Sequence, residues 1–139
     1  MRDLTLVVID DGSDDDSFEH ILKLKEADPR VELHRSPARG LVPALNFGLT
    51  QCAGPYVARM DADDWSAPNR IEKQLALCDA GFDLVGTRVR MVGGGEGFAR
   101  YASWQNTLVD HESMTRELFV ESPIAHPSVP PGDTQRLSR

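Results

Sequence analysis

A short, almost wholly apolar run and a second strand-like segment of this chain both stop abruptly at carboxylates. Leu4-Thr5-Leu6-Val7-Val8-Ile9 leads into Asp10-Asp11-Gly12-Ser13, and residues 56–60 lead into Asp61-Ala62-Asp63-Asp64. An almost wholly apolar run of this length suits a strand buried on both faces, as in a parallel sheet. In open sheets of that kind the ligand crevice lies beyond the carboxyl ends of the strands. Both acidic clusters are therefore expected at one edge of the sheet, provided their strands are near neighbours.

The segments around these runs read as alternating strands and helices. A helix is expected after the first strand, capped by Asp16 with Glu19 completing a capping box, and with Phe18, Ile21 and Leu22 as its apolar face. Asp28-Pro29 ends it, because the residue before proline avoids helical geometry. Val31 and Leu33 alternate with polar neighbours and predict a second strand, followed by a turn over residues 36–40. Pro43 sits near the start of a second helix with a stripe of Leu41, Leu45, Leu49 and Cys52, stopped by Gly54-Pro55. Residues 56–60 read as a third strand. Ser66 and Pro68 mark a third helix buried through Ile71, Leu75 and Cys78, with Gly81 as its stop. Residues 82–92 alternate as a strand, Gly93-Gly94-Gly95 and Gly97 make a flexible turn, and residues 110–119 predict a short helix. The alternation implies an α/β fold with a parallel sheet and right-handed crossovers. Residues 1–129 are read as one domain, and residues 130–139, without periodicity, as a poorly ordered tail.

The formal net charge of -7 argues against nucleic acid as a partner, since phosphate backbones need Lys and Arg. No apolar run is long enough to span a bilayer and the N-terminus lacks a signal-peptide layout. Cys52 and Cys78 read as reduced thiols, without a disulfide framework or a zinc site. The localisation expected is cytoplasmic, with peripheral attachment to the inner face of the membrane as a further option.

Carboxylates held together repel: a unit pair at about 4 Å costs on the order of 4 kcal/mol at an effective dielectric of 20. A proton, an Arg or Lys, or a metal must offset that cost. Mg²⁺ or Mn²⁺ is the natural candidate, because such ions prefer oxygen and fill their remaining positions with water and phosphates. Acids after a strand are also common loop formers and helix caps. Asp14, Asp15 and Asp16 are read that way, and Asp64 is left open. Asp10, Asp11, Asp61 and Asp63 are read as functional, because two clusters at two strand ends exceed what capping requires.

The order of motifs resembles the family-2 glycosyltransferases of the GT-A fold. Leu-Val-Val-Ile-Asp-Asp-Gly-Ser-Asp-Asp is similar to the family's first nucleotide-binding segment. Arg39-Gly40-Leu41 with Ala44-Leu45-Asn46-Phe47-Gly48-Leu49 resembles the helix after the second strand. Ala58-Arg59-Met60-Asp61-Ala62-Asp63-Asp64, then Pro68, Arg70 and Gln74, resembles the D-x-D segment and the helix after it. Ser122-Pro123-Ile124-Ala125-His126-Pro127-Ser128 resembles a downstream segment of bacterial members.

The resemblance implies a Rossmann-like GT-A nucleotide-diphospho-sugar transferase fold, a mostly parallel sheet flanked by helices, here incomplete. It implies that Asp11, with Asp10, binds the nucleotide base, that Asp61 lies near ribose and metal, and that Asp63 coordinates Mg²⁺ or Mn²⁺. Arg39 is a candidate for the donor phosphates, whereas Arg70 is read as a solvated surface arginine and Asn46 as a satisfied polar contact. Trp65 and His126 are acceptor-side candidates, with a structural role for His126 equally open. The partners implied are a nucleotide-diphosphate sugar donor and a sugar or lipid-linked acceptor, whose hydroxyl attacks with inversion, in polysaccharide biosynthesis. The family's first strand and its later acidic pair, where the catalytic base resides, have no match here. The expectation is a chain truncated at both ends and inactive by itself, the alternative function being non-catalytic binding of nucleotide and metal. A receiver-like phosphotransfer domain also clusters acids at strand ends, but it needs a downstream Lys, and none follows Lys73.

Overall fold

The computed structural model describes residues 3–125, which divide into two compact units at Val57 and Ala58. His126 and the tail from Pro130 lie outside the described residues.

The first unit contains β1 (Leu6–Asp10), α1 (Ser17–Ala27), β2 (Val31–Arg35) and α2 (Leu41–Gln51). β1 and β2 form a two-stranded parallel sheet in the register Leu6↔Val31 through Asp10↔Arg35. That register sets the acidic end of β1 beside the basic end of β2. α2 packs against β1 and α1 against β2. The approach of α2 needs Gly48, where an added Cβ would lie 3.1 Å from Ile9 Cγ1. Val31 and Ala44 are the buried apolar residues of this unit.

Two local expectations change here. The capping box at Asp16 does not form: Asp16 has a turn conformation (φ -75°, ψ 8°) and makes no side-chain cap. Asp15 instead accepts the Ser17 N–H at 2.9 Å. The stripe on α2 starts late, because Leu41 in the first turn is 61% exposed, while Leu45, Leu49 and Cys52 are half-buried. The stop of α1 is as expected, and Asp28 also fixes the next turn. It accepts the Arg30 N–H at 3.0 Å and pairs with the Arg30 guanidinium at 2.6 Å, which holds its carboxyl down at about 2.

The second unit contains α3 (Arg70–Asp79), α4 (Glu96–Gln105) and α5 (His111–Glu117). Gly81 ends α3 with φ +100°, a conformation that favours glycine. α5 starts on Asp110, whose carboxylate accepts the Ser113 N–H at 2.8 Å. The strands expected over 56–60 and 82–92 are absent: only isolated bridge residues, Tyr56 and Val85, occur there. In the later segment, side chains take ladder positions. Gln74 Nε2 donates to Val85 O at 2.7 Å. Asn106 accepts the Val89 N–H at 2.8 Å and donates to Val89 O at 2.7 Å. An alternating run becomes a strand only where a partner edge takes its backbone groups, and here two amide side chains take them.

Gln74, 1% exposed, is the most buried large side chain among the described residues, and Cys78, Val85, Ala102 and Ala125 of the same unit are buried too. α4 was not foreseen from the sequence, where Gly93-Gly94-Gly95 with Gly97 reads as a flexible turn although Phe98, Tyr101 and Ala102 follow helical spacing. No helix among the described residues is long and apolar enough to cross a membrane.

Candidate functional site

The end of β1 is a compact polar cluster. Asp10 is 8% exposed, and its Oδ1 accepts the Ser13 N–H at 3.1 Å. Arg35 Nε lies 3.6 Å from Asp10 Oδ2, near enough for attraction but too far for a hydrogen bond. Oδ2 is therefore a buried acceptor with no hydrogen-bond donor among the described residues. The Ser13 hydrogen bonds lower the Asp10 pKa, burial opposes them, and Arg35 adds to the lowering. Asp10 is thus ionised at neutral pH.

Asp11 is exposed and turns the other way. Both of its oxygens accept the Gly40 N–H, at 3.1 and 2.9 Å, which ties the end of β1 to the start of α2. Arg39 lies over Gly12: a Cβ at Gly12 would be 3.4 Å from Arg39 Nε and Nη2. With φ +89°, Gly12 is also in a conformation that side chains rarely adopt. Arg39 and the Gly40 N–H thus lie at the loop that follows Asp10 and Asp11. The fold also adds Arg35, whose guanidinium stacks on the Phe18 ring at 4.0 Å. Arg35 escaped the sequence reading because only the register of a parallel pair places it beside Asp10.

The D-x-D loop belongs to the second unit. Arg59 donates from Nε to Asp61 Oδ1 at 3.1 Å, and its Nη2 lies 3.0 Å from the same oxygen as an ion pair. The Asp64 N–H donates to Asp61 O at 3.2 Å, closing a turn around Ala62 and Asp63. Asp63 is exposed and makes no hydrogen bond or ion pair with a described residue. Trp65 is 97% exposed, so nothing packs it in place.

Arg70 departs from its reading as a solvated arginine. It is 8% exposed, donates from Nε to Ser66 Oγ at 2.8 Å, and reaches Arg59 O from Nη1 at 3.4 Å. Burial pushes its pKa down, and Asp64 opposes the shift. Asn46, expected to be satisfied within the fold, is exposed and without a hydrogen bond to a described residue.

Among the described residues, no three His, Cys, Asp or Glu side chains gather as a ready-made metal cage. The D-x-D loop fits a different kind of site. Asp61 keeps Oδ2 free of Arg59, and Asp63 keeps both oxygens. Two carboxylates of this sort suit a hard divalent ion whose remaining positions are filled by phosphate and water. The carboxylate repulsion is relieved by arginine in each cluster, Arg35 at Asp10 and Arg59 at Asp61. Elsewhere in the second unit, a cavity of about 200 Å³ is lined by Thr87, Gln105, Leu108, Met114 and Ile124 among others, and no carboxylate faces it.

Residues 1–131 match the family described as Glycosyl transferase family 2. The chain is 32% identical over 131 residues to the O-antigen biosynthesis glycosyltransferase WbnJ of Escherichia coli, covering 91% of this chain and 49% of that protein. It is 38% identical over 84 residues to the undecaprenyl-phosphate 4-deoxy-4-formamido-L-arabinose transferase of Pseudomonas savastanoi pv. phaseolicola, covering 59% of this chain and 25% of the relative. It is 34% identical over 70 residues to the chondroitin synthase of Pasteurella multocida, covering 50% and 7%. The chain thus spans about half the length, or less, of these curated relatives.

Proposed function

Because this chain belongs to glycosyltransferase family 2, and so to the α/β proteins of the GT-A fold, we propose that it binds a nucleotide-diphosphate sugar and serves sugar transfer. The observation that carries this reading is the buried Asp10 Oδ2, an ionised acceptor that lacks a donor. A nucleobase N–H is a donor of the right kind, reaching Oδ2 when the largely exposed Arg35 side chain moves off it, and leaving such an acceptor unmet costs stability that a ligand restores. Asp11 and the Gly40 N–H it holds keep this loop in shape, and Arg39 supplies positive charge for the donor.

Asp61 and Asp63 are proposed to hold Mg²⁺ or Mn²⁺ through their uncommitted oxygens. A metal bound there supplies Lewis-acid neutralisation of the diphosphate leaving group. Arg59 keeps one oxygen of Asp61 occupied, so that the loop presents a directed set of oxygens. Trp65, fully exposed beside the loop, is available to stack on a sugar.

In the proposed transfer, an acceptor hydroxyl oxygen bonds to the anomeric carbon from the face opposite the leaving group. The bond to the diphosphate oxygen breaks with its electron pair, the configuration inverts, and a general base takes the hydroxyl proton. The acceptor class proposed is a sugar or lipid-linked glycan, at the cytoplasmic face of a membrane, in polysaccharide assembly. The names of the relatives from Escherichia coli and Pseudomonas savastanoi support this class.

Calorimetric titration of the chain with a panel of nucleoside diphosphates, each with and without Mn²⁺, tests the reading. Saturable binding that prefers one base and weakens on metal removal is expected. Binding without base preference would sink the role given to Asp10. Binding that is indifferent to chelator would sink the metal. Binding without sugar transfer in a parallel assay would leave a nucleotide- and metal-binding fragment in place of an enzyme.

A further inference from the structure

The loop that carries Asp61, Asp63 and Asp64 has no regular structure and three like charges in four residues. Its internal backbone closure is the single Asp64 N–H bond to Asp61 O at 3.2 Å. Such a segment spreads unless something ties its ends. Arg70 sits just beyond it, at the first position of α3, and is 8% exposed. Its Nε donates to Ser66 Oγ at 2.8 Å, and its Nη1 donates to Arg59 O at 3.4 Å. Those two acceptors flank the acids, one before Asp61 and one after Asp64. The tie continues from Arg59 to the acids, since the Arg59 guanidinium holds Asp61 Oδ1 at 3.0 Å. A planar fork can bond two separated acceptors in fixed directions at once, whereas the three donors of a lysine ammonium share one small, freely rotating centre.

We propose that Arg70 is a positioning residue that closes the Arg59–Ser66 loop and presents Asp61 and Asp63 to a divalent cation in advance of its arrival. The inference rests on the metal reading given above and assigns it a device within this chain. A loop ordered beforehand spares the ion the cost of ordering it, and that saving is read as affinity. Arg70 is 8% exposed and its guanidinium is engaged by Ser66 and Arg59, so the role assigned to it runs through the loop.

The test uses the full chain with Trp104→Phe, which leaves Trp65 in the loop as the sole tryptophan. Arg70→Lys keeps the charge but not the fork, and Ser66→Ala removes one bond while leaving Arg70 buried. Two quantities are read: the anisotropy decay of Trp65 without divalent ion, and Mn²⁺ affinity from the electron paramagnetic resonance signal of free Mn²⁺. Both variants should show a larger fast component of Trp65 motion. The Mn²⁺ dissociation constant should rise about ten-fold in Arg70→Lys and about three-fold in Ser66→Ala, the difference between losing a fork and losing one hydrogen bond. Ser66→Ala should unfold at the midpoint of its parent, which separates a loop effect from a general loss of fold. Loosened Trp65 motion with unchanged Mn²⁺ affinity in both variants would overturn the positioning role and leave the metal reading standing. Unchanged motion in both would overturn the strut itself. A parent chain that binds no Mn²⁺ would remove the metal reading and the positioning role together.

Discussion

Replacing Asp10 by asparagine separates the structural duty of this carboxylate from the ligand-binding duty proposed for it. Asparagine retains an oxygen for the Ser13 N–H, 3.1 Å away in the parent, but the bond is no longer charge-assisted. Hydrogen bonds to charged groups are worth about 1.5–3 kcal/mol net and neutral ones about 0.5–1.5, so the exchange costs about 1 kcal/mol. Loss of the Arg35 attraction adds only a few tenths, because the Arg35 side chain is 65% exposed and screened. Denaturant unfolding should therefore show a loss of about 1–1.5 kcal/mol at neutral pH.

The penalty also has a pH window. The folded pKa of Asp10 lies below its ordinary value of 3.8, so its stabilisation is fully present above 3.8. It is lost as pH falls through the lower folded value, and the gap between parent and Asp10→Asn should narrow over that range. The ligand effect is independent of this. Where the parent offers the buried Oδ2 as an acceptor, the variant turns an amide N–H toward the ligand donor. An unmet buried donor costs about 1–3 kcal/mol, so the dissociation constant for the preferred nucleoside diphosphate should rise about five- to 150-fold by calorimetry. A variant destabilised as stated that still binds nucleotide as the parent does would refute the base contact. Unchanged stability would refute the account of the turn after β1.

Four further substitutions have outcomes set by packing and hydrogen bonding. Asn106→Leu removes both bonds to Val89 and leaves a partly buried N–H and C=O unmet, so chemical denaturation should show a loss of about 2–3 kcal/mol. Gly48→Val forces a branched side chain against Ile9 Cγ1, which is already 3.1 Å from a single Cβ, and should destabilise by about 1–3 kcal/mol. Gly48→Ala should be near neutral in the same assay, because a helix-propensity gain of about 1 kcal/mol offsets the crowding. Asp110→Ala frees the Ser113 N–H, so amide exchange there should accelerate. Since hydrogen bonding to Ser113 lowers the Asp110 pKa, the parent's protection should persist above 3.8 and fade as pH falls through the lower folded value.

Arginine gives this acidic chain a common logic at its two clusters. Arg35 and Arg59 each lie against the first aspartate of a group, and each leaves one oxygen of that aspartate unpaired by a hydrogen bond. The structure thus meets carboxylate repulsion locally before any ligand is considered. A cationic side chain is one of the three ways of meeting that repulsion, beside a proton and a metal.

The sequence alone determined what depends on near neighbours along the chain. The stops at Asp28 and Gly81, the apolar run of β1, and the helices α1, α2, α3 and α5 were all legible, because helical hydrogen bonds and caps close within a few residues. The turns at the acids were legible in part: Asp10 does end β1, whereas the segment before Asp61 forms no strand. Tertiary structure decided whatever needs a distant partner. Residues 82–92 have the alternation of a strand, yet Asn106 and Gln74 hold their backbone. Arg35 reaches Asp10 only through the parallel register, and Asp11 is spent on the Gly40 N–H, 29 residues away. Arg70 looked like a surface arginine in a polar helix, and burial made it a tie across the acidic loop. A backbone group or a charge takes the best partner that folding brings within reach, and sequence spacing does not state which distant residue that is.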